Sequence, residues 1–210
     1  MPGNYAVRCD VVKIPDCVNY LTKRIFQLFS VVLLLLGSST PGFADMSSHY
    51  SSLDLRDCPV IAQAEEGDGE WATFRCNGYQ GVPVFVSEAD LRISLGYGAE
   101  GQSQHSFNQR IGAFNSIGGK LEWRLKNGRV VATILRYQTD AGDGARKGQI
   151  LVVTRVSPGF GEACHVAYVD ALANPAANVL ARYAADYLAP KFNCGTDQPT
   201  HLGRRGVSPF

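Results

Sequence analysis

The sequence predicts an α+β domain: one antiparallel sheet of six or seven strands, a single C-terminal helix packed on one face, and two disulfides that staple it. Three observations carry this expectation. Period-two alternation of apolar and polar residues recurs from Trp71 onward, with Asn77-Gly78 and Asn127-Gly128 as hairpin turns. One stretch near the C-terminus changes to helical spacing, placing Leu180, Tyr183, Ala184, Tyr187 and Leu188 on a single stripe. Four cysteines, Cys58, Cys76, Cys164 and Cys194, remain once the N-terminal segment is set aside.

Residues 1–44 read as an export signal. Lys23 and Arg24 precede the apolar run Val31 to Leu36, and Gly42-Phe43-Ala44 offers the small residues that a signal peptidase cuts behind. A membrane anchor needs about 20 apolar residues, and Gly37-Ser38-Ser39-Thr40-Pro41 ends this run too early. No cysteine follows the run closely, which argues against a lipid anchor. Residues 1–22 are long for the basic region of a signal, so either the start is over-extended or the leader is a long one. Both readings leave a mature chain from Asp45, and stable membrane insertion is not expected after cleavage.

The mature chain keeps 16 of the 20 Lys/Arg and 17 of the 19 Asp/Glu, a net charge of −1. Such a balance creates no field able to gather nucleic acid or anionic lipid. An even cysteine count in an exported chain reads as two disulfides. Three pairings are possible, of which Cys58–Cys76 and Cys164–Cys194 enclose local segments and are favoured. A zinc site is disfavoured, because no Cys-x-x-Cys pair exists.

Along the chain, the Ser-rich residues 45–57 read as a flexible entry arm, residues 58–194 as one domain, and the Pro/Gly-rich residues 195–210 as a disordered tail. Trp71 to Cys76 alternates as a strand, and Val82 to Val86 returns after Asn77-Gly78. Pro83 suggests an edge position for that return strand. Ser87 to Asp90 makes a tight turn into the alternating run Leu91, Ile93, Leu95, Tyr97. Glu100 to Ser106 is polar and reads as an exposed loop. Lys120 to Lys126 and Arg129 to Gln138 form the clearest hairpin. Gln149 to Val156 is apolar on both faces, hence central, and Cys164 to Val169 is the last strand. Asn174-Pro175 starts the helix, with the amide as N-cap, and Pro190 stops it.

Chemistry-bearing motifs are sparse. Phosphate-binding loops, the dinucleotide fingerprint and the zinc-helix signature are all missing, and no cofactor or metal is implied. Glu65, Glu66, Asp68 and Glu70 lack the fixed spacing of a calcium loop and read as a solvated turn. Cys164 and His165 are strand neighbours whose side chains diverge. His49 and His201 lie near the ends, whereas His105 sits in a polar loop with Ser103 and Ser106. The residues Lys120, Arg124, Lys126 and Arg129 line the outward face of the clearest hairpin and, with His105, are the candidate partner-binding residues. Trp71, Trp123, Tyr79, Tyr97 and Tyr137 read as core aromatics in preference to a carbohydrate platform.

The functional expectation is therefore an exported, non-enzymatic envelope protein, periplasmic or secreted, that binds a protein or cell-envelope component. The alternatives are a hydrolase using His105 with a nearby Ser, and a small-ligand binder with a pocket between sheet and helix. Native mass spectrometry of the exported chain is expected to give a mass starting at Asp45 and lighter by four hydrogens than the fully reduced chain. Free thiols, or retention of residues 1–44, would refute that reading.

Overall fold

In the computed structural model, which describes residues 45–210, the alternating segments form two sheets instead of the one expected. The predicted export signal lies outside the described residues. The smaller sheet is antiparallel and follows chain order: β2 (Val60–Gln63), β3 (Trp71–Asn77), β4 (Pro83–Ala89), β5 (Arg92–Tyr97). The larger sheet is mixed, in the order β1 (Met46–Ser52), β6 (Phe114–Lys126), β7 (Arg129–Asp140), β8 (Lys147–Val156), β9 (Ala163–Asp170), β10 (Thr200–His201). Both disulfides form with the favoured pairing, Cys58–Cys76 and Cys164–Cys194.

The reason for two sheets lies in the apolar rows. Val84, Val86, Ile93, Leu95 and Tyr97 of the small sheet need a cover, and so do Leu121, Trp123, Leu135, Tyr137, Ile150 and Val152 of the large one. Stacking the sheets buries both rows in one core. The opposite face of β7, β8 and β9 is also apolar, through Ile134, Leu151, Val153, Val166 and Val169, and takes the C-terminal helix. The result is three layers, small sheet on large sheet on helix. As expected, β8 is interior to its sheet.

Several segments differ from the sequence reading. The entry arm is strand β1, paired with β6 from Met46↔Lys126 to Ser52↔Lys120. Its Ser51 hydroxyl accepts a hydrogen bond from the buried Trp123 indole N–H at 2.9 Å. The tail is also ordered. Thr200 and His201 run parallel to β9, and the Asp170 carboxylate accepts from the N–H groups of Gly206 and Ser208 and from the Ser208 hydroxyl. Asn174 does not cap the helix: its side-chain amide donates to the carbonyls of Asp170 and Arg204 and accepts from Arg204 N–H, tying the tail down. Pro83 opens a central strand, where its missing N–H costs one bond at the ladder's end.

The Glu100–Ser106 segment is not a free loop. Together with α1 (His105–Asn108) it covers the outer face of β4 and β5. Gly96 and Gly101 make this possible, since a Cβ on Gly96 would lie 1.9 Å from the Gly101 carbonyl oxygen. Gln104 is buried there, its amide accepting from Tyr97 N–H and donating to the Tyr97 and Phe160 carbonyls.

The helix α2 (Ala177–Tyr183) continues through a wider turn, Ala184–Leu188, and a tight one, Ala189–Lys191. It packs mainly by alanines, with Leu180, Ala184 and Leu188 of the predicted stripe on the buried side and its two tyrosines outside. Ala177, Ala181, Ala184, Ala185 and Ala189 are buried, while Tyr183 and Tyr187 are 51% and 61% exposed. Methyl groups let the helix approach the sheet closely, and the tyrosine hydroxyls stay in water.

Between helix and β6 lies a charged network. Arg124 pairs with Asp186 through two parallel hydrogen bonds of 2.8 and 2.7 Å, and Arg182 reaches Glu122 at 2.7 Å. Ser48 of β1 joins both sides, donating to Glu122 and accepting from Arg124. Removing one partner of such a pair leaves a buried charge unmet. Arg124→Ala is expected to destabilise the fold by about 3 kcal/mol or more in urea titrations, with Arg124→Met/Asp186→Leu recovering most of the loss. Equal destabilisation by the single and double variants would contradict this account.

Candidate functional site

The four basic residues singled out on the hairpin do not form one patch. Lys126 and Arg129 flank the Asn127-Gly128 turn and are exposed. Lys120 is exposed six positions back along β6, roughly 20 Å away by strand rise, with its ammonium 5.8 Å from the Tyr50 ring centroid. Arg124, between them, is only 6% exposed and is committed to Asp186. It is therefore withdrawn from any outward docking face, because α2 lies over this part of β6. The pattern Glu122-x-Arg124 on a strand against Arg182-x-x-x-Asp186 on a helix was the sequence signal for that pairing.

His105 is exposed at the start of α1, its ring 3.4 Å from where a Cβ on Gly195 would lie. Neither nearby serine meets it. Ser103 donates to the Glu100 carbonyl at 2.8 Å, and Ser106 is fully buried with its hydroxyl unpartnered among the described residues. The nucleophile–base contact that a hydrolase needs is not among the hydrogen bonds of the described residues. No group of three or more His, Cys, Asp or Glu side chains among them is placed to hold a metal ion.

His165 is buried on β9, where its Nδ1 lies 3.0 Å from the Tyr168 hydroxyl. A register shift between Val153 and Thr154 opposite brings these two residues, three apart, to the same face. Burial pushes the His165 pKa down to about 4 and that of Tyr168 up to about 12. Tyr168 also stacks near His201 and Phe210 of the tail. This is an aromatic packing cluster beneath the tail.

Of the five aromatics noted in the sequence, Trp123, Tyr97 and Tyr137 are fully buried and Tyr79 packs partly buried against them. Gly78 permits this, since a Cβ there would lie 2.4 Å from the Trp123 ring. Trp71 differs, being 41% exposed. It lines a groove of about 840 Å³ at one end of the small sheet, with Gln63, Ala72, Glu70, Glu88, Asp90 and Leu91. The Asp90-Leu91 turn forms its lip, both residues adopting positive φ of 52° and 57° in a two-residue hairpin. Arg92 pairs with Asp90 and lies over the Phe114 ring, whereas Glu70 and Glu88 have no ion-pair partner among the described residues. Leu91 also borders a smaller depression of about 290 Å³ with Phe114 and Thr139. A second groove, of about 500 Å³, runs between the helix and the tail and is lined by Tyr183, Tyr187, Lys191 and Asp197.

Sequence reasoning missed the Trp71 groove, although the exposed pair of Trp71 and Leu91 flanks an acidic turn that it did read. The histidine cluster gives a pH prediction. The unfolded chain binds a proton at His165 near pH 6.5, while the folded chain resists protonation until about pH 4. Stability therefore falls as pH drops through that window, by about 3 kcal/mol in total from this group. Thermal melts between pH 7 and 4 are expected to show this slope and His165→Gln to flatten it; an unchanged slope would remove His165 as its origin.

Compared with known proteins, the chain matches no family model, and no curated protein or solved structure shows significant similarity to it.

Proposed function

We propose that this protein is an exported binding module of the cell envelope, periplasmic or secreted, whose binding surface is the Trp71 groove at the open end of the small sheet. The observation that carries this reading is an exposed tryptophan beside a groove of about 840 Å³, in a domain whose other tryptophan is fully buried. An indole left in water by a fold with ample core is a common anchor of interfaces, and here Trp71 and Leu91 give apolar contact area among the polar groups of Gln63, Glu70, Glu88 and Asp90. Export is supported by the two disulfides, which persist in oxidising compartments, and by the signal-like N-terminal segment. No helix among the described residues is long and apolar enough to cross a membrane. The partner is a protein or another envelope component, and the reading involves no nucleic acid.

Two other readings have less support. The hydrolase reading requires His105 to activate a serine, and among the described residues Ser103 bonds the Glu100 carbonyl while the buried Ser106 hydroxyl bonds nothing. The small-ligand reading has the helix–tail groove of about 500 Å³ in its favour, lined by the exposed pair Tyr183 and Tyr187 with ring centroids 5.3 Å apart. Photo-crosslinking in the exporting cell separates these sites. A benzophenone residue at Trp71 or Leu91 is expected to give one specific adduct, while probes at Lys126 and Tyr187 give none. Adducts only at Lys126 or Tyr187, or at no position, would overturn the assignment.

A further inference from the structure

Building on that reading of the Trp71 groove, we infer that its occupant is an extended, basic peptide segment of a partner protein, which adds as a fifth strand to β2. Two independent features of the small sheet point to this, one of shape and one of charge.

The first is an asymmetry between the sheet's edges. The outer edge of β5 is closed by side chains: the Asn115 amide accepts from Ile93 N–H at 3.0 Å, and Gln104 both accepts from and donates to the Tyr97 backbone. Asn115 N–H in turn donates to the Leu91 carbonyl at 2.8 Å. Among the described residues the outer edge of β2 has no such cover. All four of its residues are exposed, including Val60 and Ile61, and Cys58–Cys76 pins its start to β3. Folded proteins usually blunt an open apolar edge, and this chain blunts one edge of the small sheet and not the other. An open edge offers alternating N–H and C=O groups to an added strand. Ala64 donates to Trp71 and Gln63 is paired opposite Ala72, so Gln63 turns its own N–H and C=O toward the open side.

The second feature is charge. The chain from the end of β2 to the start of β5 carries Glu65, Glu66, Asp68, Glu70, Glu88 and Asp90. Its cations are Arg75, on β3, and Arg92, which is engaged with Asp90. These are six of the 17 carboxylates of residues 45–210, in a chain whose net charge there is only −1. Lysine or arginine side chains of an added strand meet Glu65, Glu66 and Glu70 of the turn that follows β2 and the exposed indole of Trp71, which attracts cations to its face. The same charge disfavours a second copy as occupant, since antiparallel pairing of two β2 edges brings acidic turns toward each other.

The test uses the purified chain from Asp45 with both disulfides intact. The probe is a fluorescein-labelled peptide of about eight residues alternating Lys with Val or Thr, compared with versions carrying Glu or Ser at the Lys positions, by fluorescence anisotropy. The basic peptide is expected to bind and to weaken with added salt. Glu66→Gln/Glu70→Gln is expected to weaken it about tenfold. Gln63→Pro, tolerated at an edge position because only the outward N–H is lost, is expected to weaken it by a similar factor with an unchanged melting temperature. Equal binding of the Glu or Ser peptides, or full binding by Gln63→Pro, would overturn the inference. So would a dimer in sedimentation that Gln63→Pro dissolves, since the occupant is then a second copy. A specific crosslink at position 71 to a partner without a basic segment would overturn this inference and leave the assignment of the groove standing.

Discussion

The pair of opposed ion bridges between β6 and the C-terminal helix is the constraint on which the large sheet's arrangement depends. The alanine stripe of α2 gives closeness but no register, because one methyl group resembles the next. Register comes from Arg124 holding Asp186 while Glu122 holds Arg182. Reversing the helix, or sliding it a turn, sets guanidinium against guanidinium and carboxylate against carboxylate. The same network recruits β1, since Ser48 joins both bridges and the Tyr50 hydroxyl accepts from Arg182 at 2.8 Å. A polar strand with little apolar surface of its own is thereby held on the sheet's edge, where it shelters Trp123.

The same network explains where the sequence was readable and where it was not. Local signals were reliable: Asn127-Gly128 turns the chain with φ of 51° and 75°, the alternating runs are strands, and cysteines that enclose local segments are bonded to each other. What stayed hidden was tertiary. Alternation assigns residues to faces, but it does not say whether a polar face meets water or another layer, so Arg124 read as a docking residue when it is a buried strut. The segments with polar composition, residues 45–57 and 195–210, read as loose because they lack apolar periodicity. They are ordered by hydrogen bonds to Asn174, Asp170 and Gly119 that no local pattern reports.

The candidate site was harder still to see. Trp71 alternates as a core residue does, and what exposes it is its position at the end of β3, beside a turn rich in carboxylates. The histidine that the sequence singled out, His105, led to an exposed imidazole with no hydrogen bond to Ser103 or Ser106, whereas the buried His165 packs against Tyr168 under the tail. The Asp170 carboxylate that holds that tail is resisted by burial, which raises its pKa. The Ala173 N–H, the Ser208 hydroxyl and the Leu172 and Ser208 N–H groups outweigh this and leave it below the ordinary carboxylate range. Its contribution is present above about pH 4 and fades in stronger acid, a region distinct from that of His165.

Closing one edge of the small sheet with Asn115 and Gln104 also sets the geometry of assembly. A sheet with two open edges lets each copy receive the next, and the ladder lengthens without limit. Here a molecule offering β2 finds no open β5 on its neighbour, so head-to-tail growth through this sheet has no second step. Head-to-tail association through the β2 edge therefore ends with the first arrival, and β2 stays exposed without making this sheet the seed of a ladder.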